Sequence, residues 1–354
     1  MTASPLRTRL EAVECLRVAG SLAVIVIHAA PFNRAGQLGL AWNAATVANQ
    51  LARFAVPAFF VLAGYFWAVR AVSADASAAA ADEITWRLVR QLLLLWGCWS
   101  LLYVLPFDGA LFARTFPAAW LDQLTRNTHW IATHPGTVLL QGTNGHLWFL
   151  PALASAVAVA AVVRRWVGWR ALLALALLAA LYALLARPYT VTALGLVVPY
   201  NARNGPAFAL PCVVAGMALA RHAPAPRWVP LGVALVAGGA NVSVAELSWL
   251  HHAHRVRLAQ DFVAGTFAVG VGAAMVALAN PRWMRGARLA SVGASVLGIY
   301  LVHPLVVDLL QPLARQAPPV LGDLALLAAV FALSLVVTRG LERLPATRWL
   351  VRTR

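Results

Sequence analysis

The stretch that decides the fold is VECLRVAGSLAVIVIHAAPFN, residues 13–33. Its apolar residues run continuously rather than alternating, over enough length to cross a hydrocarbon core of about 30 Å, which favours a spanning helix over a barrel strand. Yet it carries Glu14, Arg17 and His28. Ionisable side chains in a span are costly and are candidates for function. Arg17 and His28 stand eleven residues apart. That is three helical turns plus about 20°, so both lie on one face, about 16 Å apart along the axis. Ser21 falls on the same stripe. Glu14 and Arg17 have the i,i+3 spacing of a helical ion pair. With the N-terminus in the cytoplasm, this pair lies near the cytoplasmic surface and His28 lies deep, toward the outer leaflet. Histidine titrates near neutrality and can take a proton from a hydroxyl nucleophile.

Nine further apolar runs follow, at 46–70, 86–105, 146–164, 169–186, 205–221, 227–246, 260–279, 290–311 and 321–339. The 354-residue chain is 61% hydrophobic and 11% charged, with mean hydropathy +0.74. A soluble domain is about 45–50% apolar and about 25% charged. This balance excludes an ordinary cytosolic enzyme, a disordered chain and a coiled coil. All 28 basic residues are Arg, and the net charge is +16. In a soluble protein that basicity would suggest nucleic acid. Here the Arg residues cluster at the ends of the apolar runs, so the expected partner is the bilayer and nucleic acid is not expected. One set of ends holds Arg7, Arg9, Arg70, Arg87, Arg90, Arg164, Arg165, Arg170, Arg221, Arg227, Arg282, Arg285, Arg288 and the segment from Arg339 to Arg354. The opposite set is sparser, with Arg34, Arg114, Arg126, Arg187, Arg203, Arg255, Arg257 and Arg315. The alternation gives an all-α polytopic membrane protein of ten transmembrane helices with both termini cytoplasmic. An odd count would put the Arg-rich end outside.

The chain reads as one integral-membrane domain, 1–354, closing in an Arg-rich cytoplasmic tail at 340–354. Residues 72–83 (VSADASAAAADE) read as a small-residue cytoplasmic linker. The outer segment 106–145, with Trp120, His129, Trp130 and His134, has the aromatic content of an interfacial element. Segment 187–204 has the Pro, Tyr and Asn of a structured outer loop. No cleavable signal peptide, internal repeat or inverted pair of broken helices is evident. Cys15, Cys98 and Cys212 form no metal or redox motif and read as buried thiols without a role. His251, His252 and His254, close to Arg255 and Arg257, lack a carboxylate or Cys to complete a metal site. They read as a surface loop near anionic lipid or glycan, and no metal is expected.

Three more groups bear on chemistry. Arg87 and Arg90 enter the third run at i,i+3, so both point the same way. Guanidinium forks bind phosphate bidentately, while simple positive-inside anchoring explains the pair equally well without other context. His146 and Trp148, in GHLWF, open the fourth run at the outer side. Tyr300-Leu-Val-His303-Pro304 comes late in the ninth. Pro304 frees a carbonyl, and His303 and Asp308 are candidates to line an outer cavity.

The chain resembles the acyltransferase 3 family of membrane-bound acyltransferases. The resemblance rests on VECLRVAGSLAVIVIHA (13–29), FAVPAFFVLAGYFW (54–67), Arg87-x-x-Arg90, GHLWFLPAL (145–153) and SVLGIYLVHPL, which runs to residue 305. Arg17-x10-His28 is short alone, but the order of all five segments extends over nearly the whole chain. The family often has Asp where Glu14 stands, so the carboxylate is kept. It usually has Ser where Ala63 stands, so a hydroxyl is missing there. Many relatives carry a C-terminal SGNH hydrolase-like domain. This sequence stops at 354 and is similar to the stand-alone members.

The resemblance implies ten core helices and transfer of an acyl group, usually acetyl from acetyl-CoA, to hydroxyls of extracytoplasmic or lipid-linked sugars at the inner membrane. Arg87 and Arg90, helped by Arg17, are then expected to hold the CoA phosphates, with Glu14 orienting Arg17. His28 is expected to act as general base or to carry the acyl group transiently. His146, Trp148 and His303 are expected to hold the sugar. The competing class is a secondary transporter or flippase that uses the intramembrane Arg and His as a proton relay. The sequence leaves the acceptor, the acyl chain and the oligomeric state open.

Overall fold

The computed structural model describes residues 10–33, 42–71, 77–107, 117–280, 283–284 and 288–352, with the side chains of 288–290 excepted. Arg7, Arg9, Arg34, Arg114, Arg282, Arg285 and Arg354 lie outside the described residues, as does the side chain of Arg288. The architecture is all-helical, with no strand among the described residues. Thirteen α-helices are described. They are α1 (Glu11–Ala29), α2 (Ala44–Ala52), α3 (Ala55–Ala71), α4 (Ala78–Leu102), α5 (Ala118–Thr133), α6 (Pro135–Gln141), α7 (Phe149–Trp166) and α8 (Trp169–Leu185). They continue with α9 (Pro206–His222), α10 (Val229–His254), α11 (Ala264–Ala279), α12 (Val296–Ala314) and α13 (Pro319–Arg343). Each of the ten apolar runs coincides with a helix. Six segments are both long and apolar enough to cross a bilayer, namely Glu11–Ala29, Ala44–Ala71, Phe149–Trp166, Pro226–His254, Ser291–Ala314 and Pro319–Arg343. The apolar helices α8, α9 and α11 are shorter. The chain is a polytopic membrane protein.

Four expectations are corrected. The run 46–70 is two helices, because Pro57 has no N–H to give to the carbonyl of Arg53, four residues back. Arg53 thus caps α2 and stands at a break. The linker 72–83 becomes α4 from Ala78, since alanine is the best helix former and the Ser77 hydroxyl accepts from the Ala80 N–H. The run 260–279 starts as helix only at Ala264, leaving Asp261 in the preceding loop. The histidines 251, 252 and 254 lie in the last turn of α10, not in a loop, and His251 and His252 bond carbonyls through Nδ1.

Helices α1 and α3 are central. α1 packs against α2, α3, α11, α12 and α13, and α3 lies most closely on α9. In lipid no hydrophobic drive separates one apolar helix from another, so close van der Waals packing holds the bundle. At the α3–α9 crossing, a Cβ on Gly64 would collide with the Val213 carbonyl, and one on Gly216 with the Val61 carbonyl. The two glycines let the backbones touch. On the outer surface Leu177 and Leu181 of α8, Val233 and Val242 of α10, and Leu321 and Val336 of α13 are exposed. A belt of exposed large apolar side chains fits lipid and not water.

The last residues are not a free tail. After α13 the chain folds back, with Val351 fully buried. The indole N–H of Trp99 donates to the Leu350 carbonyl at 2.9 Å, and Gln91 donates to the Arg352 carbonyl at 3.1 Å.

Candidate active site

Helices α1, α3, α4, α7 and α12 surround a cavity of about 950 Å³. Its inner end is set by the start of α1, the end of α3 and the start of α4, and is lined by Glu14, Arg17, Arg70, Arg87 and Arg352. Its outer end holds His28, Arg53, His146, Trp148, Arg203 and Asp261. Between them the wall is apolar and includes Leu62, Ala63 and Phe66. Ala63 faces this passage. Arg17 and His28 are therefore on one face of α1, and that face is the wall of one cavity.

At the inner end Arg17 Nη1 donates to Glu14 Oε1 at 3.1 Å, and its guanidinium lies 5.2 Å from the centre of the Phe66 ring. The other oxygen of Glu14 is buried without a hydrogen bond among the described residues. It rests against Gly293, where any Cβ would strike it. Arg87 is exposed and donates to Glu83 at 2.5 Å. Arg90 is also exposed but does not line the cavity, so Arg87 stands at the mouth without it. Arg70 and Arg352 take its place there. Both look like positive-inside anchors in the sequence. Only the fold-back after α13 brings Arg352 to the mouth.

At the outer end three histidines meet, from α1, from the turn before α7 and from α12. The ring of His28 lies 5.1 Å from that of His303 and 6.2 Å from that of His146, and the latter two are 5.6 Å apart. His28 sits well inside the bundle, yet its side chain is exposed, and what it is exposed to is the cavity. It makes no hydrogen bond among the described residues. The Oδ1 of Asn144 accepts from both the backbone N–H and the Nδ1 of His146, the latter at 2.9 Å. Pro304 frees the Tyr300 carbonyl, which accepts from His303 Nδ1 at 2.7 Å. A carbonyl can only accept, so His303 carries its proton on Nδ1 and its Nε2 is a buried lone pair without a donor. The Nε2 of His146 is also buried without a hydrogen bond among the described residues. The Tyr300 hydroxyl donates to the His146 carbonyl and ties α12 to the segment before α7.

The residues expected to hold sugar are placed differently from one another. His146 lines the cavity, although only 1% of its surface is exposed. His303 is completely buried behind His28 and does not line it, so it is not placed to touch a sugar directly. Trp148 is 7% exposed, packed against Phe60 and Phe208, with the Arg203 guanidinium 4.7 Å above its ring. Its face is occupied by that cation rather than open for a sugar.

Beside these rings stands a constellation that the sequence did not single out. Asp261 pairs with Arg187 at 2.8 Å, Arg203 at 3.0 Å and Arg53 at 3.3 Å. Burial pushes the carboxyl of Asp261 up, but Arg203, Arg53 and Arg187 together outweigh it and hold it at about 2. Arg53 lay unremarked inside an apolar run, and Arg187 and Arg203 counted only as outer-side charges. The available signal was Asp261 itself, an acid at an apolar run's outer end.

A second, polar cavity of about 820 Å³ adjoins on the outer side, lined by Tyr103, Asn127, Trp130, Gln141, Asn144 and Asp308 among others. It is walled in part by α5 and α6, the helices of the segment 106–145. Gly145 borders both cavities. Asp308 lines this one as expected, and His303 does not.

Comparison with curated proteins and with solved structures returns no match. The model of one family, described as an acyltransferase domain, matches residues 10–339. That span includes the cavity walls from Glu14 to Tyr300, and with it the chain belongs to the acyltransferase 3 family of membrane acyltransferases.

Proposed function

We propose that this acyltransferase moves an acetyl group from cytosolic acetyl-CoA to a hydroxyl of an extracytoplasmic or lipid-linked sugar, from a multi-pass position in the cell's inner membrane. The observation that carries the reading is the single cavity joining four arginines at the inner end to His28 and His146 at the outer end, with His303 packed behind His28. Its volume lies at the upper end of the range of about 300–1,000 Å³ usual for small-molecule sites. Guanidinium groups at the mouth suit a polyphosphate nucleotide, so Arg87, with Arg17, Arg70 and Arg352, would hold the CoA phosphates. Glu14 fixes Arg17. The apolar passage takes the extended arm and excludes water from the thioester.

His28 then removes the proton of the sugar hydroxyl as its oxygen attacks the thioester carbonyl, and CoA leaves as the thiolate. The imidazolium so formed has the rings of His303 and His146 beside it, 5.1 Å and 6.2 Å away between centres. The second cavity, rich in amides and with Trp130 on its wall, supports a carbohydrate acceptor approaching from outside. Labelled acetyl transfer from acetyl-CoA in membranes tests the reading. Replacing His28 with Ala should cost about 10²–10⁴ in rate, the usual worth of a general base, with unchanged membrane abundance. Parental activity in that variant would remove His28 from the chemistry.

A further inference from the structure

We propose that Arg53 and Arg203 form a seat for an oxyanion carried by the acceptor, a carboxylate or phosphate attached near the hydroxyl that is acylated. The inference rests on the acyl-transfer reading and restricts its acceptor to an acidic one. Three guanidinium groups converge on one carboxylate, so the cluster carries two positive charges more than it neutralises. Arg53, Arg203 and Asp261 are each less than one-fifth exposed. Solvent and salt screen such a site poorly, and an uncompensated charge there is costly. Another acid, Glu246 of α10, is already engaged. It accepts from the Tyr189 hydroxyl and from the backbone N–H groups of Ala264 and Gly265 at the start of α11.

The bonding pattern aims the cations. Arg53 spends Nε on Asn49 and Nη1 on Asp261. Arg203 spends Nε on Asn204 and Nη1 on Asp261. Each therefore keeps its Nη2 without a partner among the described residues. Both line the cavity, whereas Arg187 does not and supports Asp261 from behind. Asp261 thus braces two forks toward the space that His28 faces. The stack of Arg203 on Trp148 and the helix break at Pro57 fix their positions from either side. Guanidinium forks prefer the planar or tetrahedral oxygens of carboxylate and phosphate over neutral hydroxyls.

The full-length protein in detergent, or in nanodiscs where stated, provides the test, with binding read from indole fluorescence and thermal stability. The probes are glucuronate, its neutral amide glucuronamide, and farnesyl phosphate. Glucuronate or farnesyl phosphate should bind saturably, and the tighter of the two identifies a sugar acid or a lipid-linked phosphate as the source. Glucuronamide should bind at least about tenfold more weakly, as loss of a charge-assisted contact implies. Arg203→Gln should weaken binding of the acidic probe by a similar factor, while Arg126→Gln, exposed on α5 and lining neither cavity, should leave it unchanged. Equal binding of glucuronate and glucuronamide by the parent protein would overturn the proposal without any variant. So would stabilisation by phosphatidylglycerol nanodiscs alone, with no response to either acidic probe. Labelled acetyl transfer is measured separately. Its absence would sink the acyl-transfer reading while leaving anion binding intact, so the two failures are distinguishable.

Discussion

Proline has no N–H, so residue 304 leaves the carbonyl of Tyr300 free, and the Nδ1 of His303 takes it. One residue thereby sets the tautomer of a buried ring that faces His28. Pro304→Ala would supply a competing N–H to the same carbonyl. We expect labelled acetyl transfer to fall about fivefold, the worth of one ordinary hydrogen bond, with no loss of protein from the membrane. An unchanged rate would show that the tautomer of His303 does not matter. Asp261 makes a second prediction at this scale. Its folded carboxyl is held at about 2, below its ordinary value, by the surrounding arginines. A depressed acid stabilises the fold above its unfolded value, and that stabilisation disappears as pH falls from about 4 through about 2. The amount is on the order of 2 kcal/mol. Thermal melting of Asp261→Asn should lack this acid-dependent slope and be lower than the parent at neutral pH. A parallel acid slope in the variant would count against the coupling.

The apolar runs fixed where helices lie, because continuous hydrophobicity over a bilayer's thickness leaves few alternatives. They did not fix where helices stop. The end of α2 at Arg53 depends on Pro57, and the start of α11 three residues after Asp261 depends on loop pairing that no run length encodes. The same division holds for the site. Glu14, Arg17 and His28 were legible because one helix carries all three and its period can be counted. Arg53, Arg203 and Asp261 were not, since they come from three segments joined only by tertiary contact. Element packing also explains Gly293, whose missing side chain makes room for Glu14. Gly293→Ala should push Glu14 off Arg17, lowering stability by about 1–3 kcal/mol as overpacking does and raising the KM for acetyl-CoA. Adding Glu14→Ala removes the carboxylate, the nearest colliding group, and leaves the Cβ of residue 14 at 2.7 Å from the new methyl. The double variant should therefore melt above Gly293→Ala and below Glu14→Ala, measured by thermal melting in detergent. If it melts no higher than Gly293→Ala, the collision is not the cause.

At the scale of the whole molecule the question is whether donor and acceptor meet through the protein or on one side of it. The cavity offers a passage through, since its lining runs from Arg87 to His28 with Ala63 between them. Arg126, on the exposed outer helix α5, marks the opposite side from Arg87 if the arginine asymmetry sets orientation. These statements can be tested together in a chain whose Cys15, Cys98 and Cys212 are replaced by Ala. A thiol at Ala63→Cys should react with a small charged reagent admitted from the cytoplasmic face, and acetyl-CoA should protect it. Arg87→Cys should react from the same face, and Arg126→Cys only from the other. Protection at Ala63→Cys is the decisive readout, because residue 63 lies beyond the arginine mouth and only a donor threaded along the passage covers it. Labelling that acetyl-CoA leaves untouched would confine the nucleotide to the surface. The thioester would then have to reach His28 by another path. Reaction at Arg87→Cys from the outer face would instead invert the orientation while leaving the cavity and its chemistry as described.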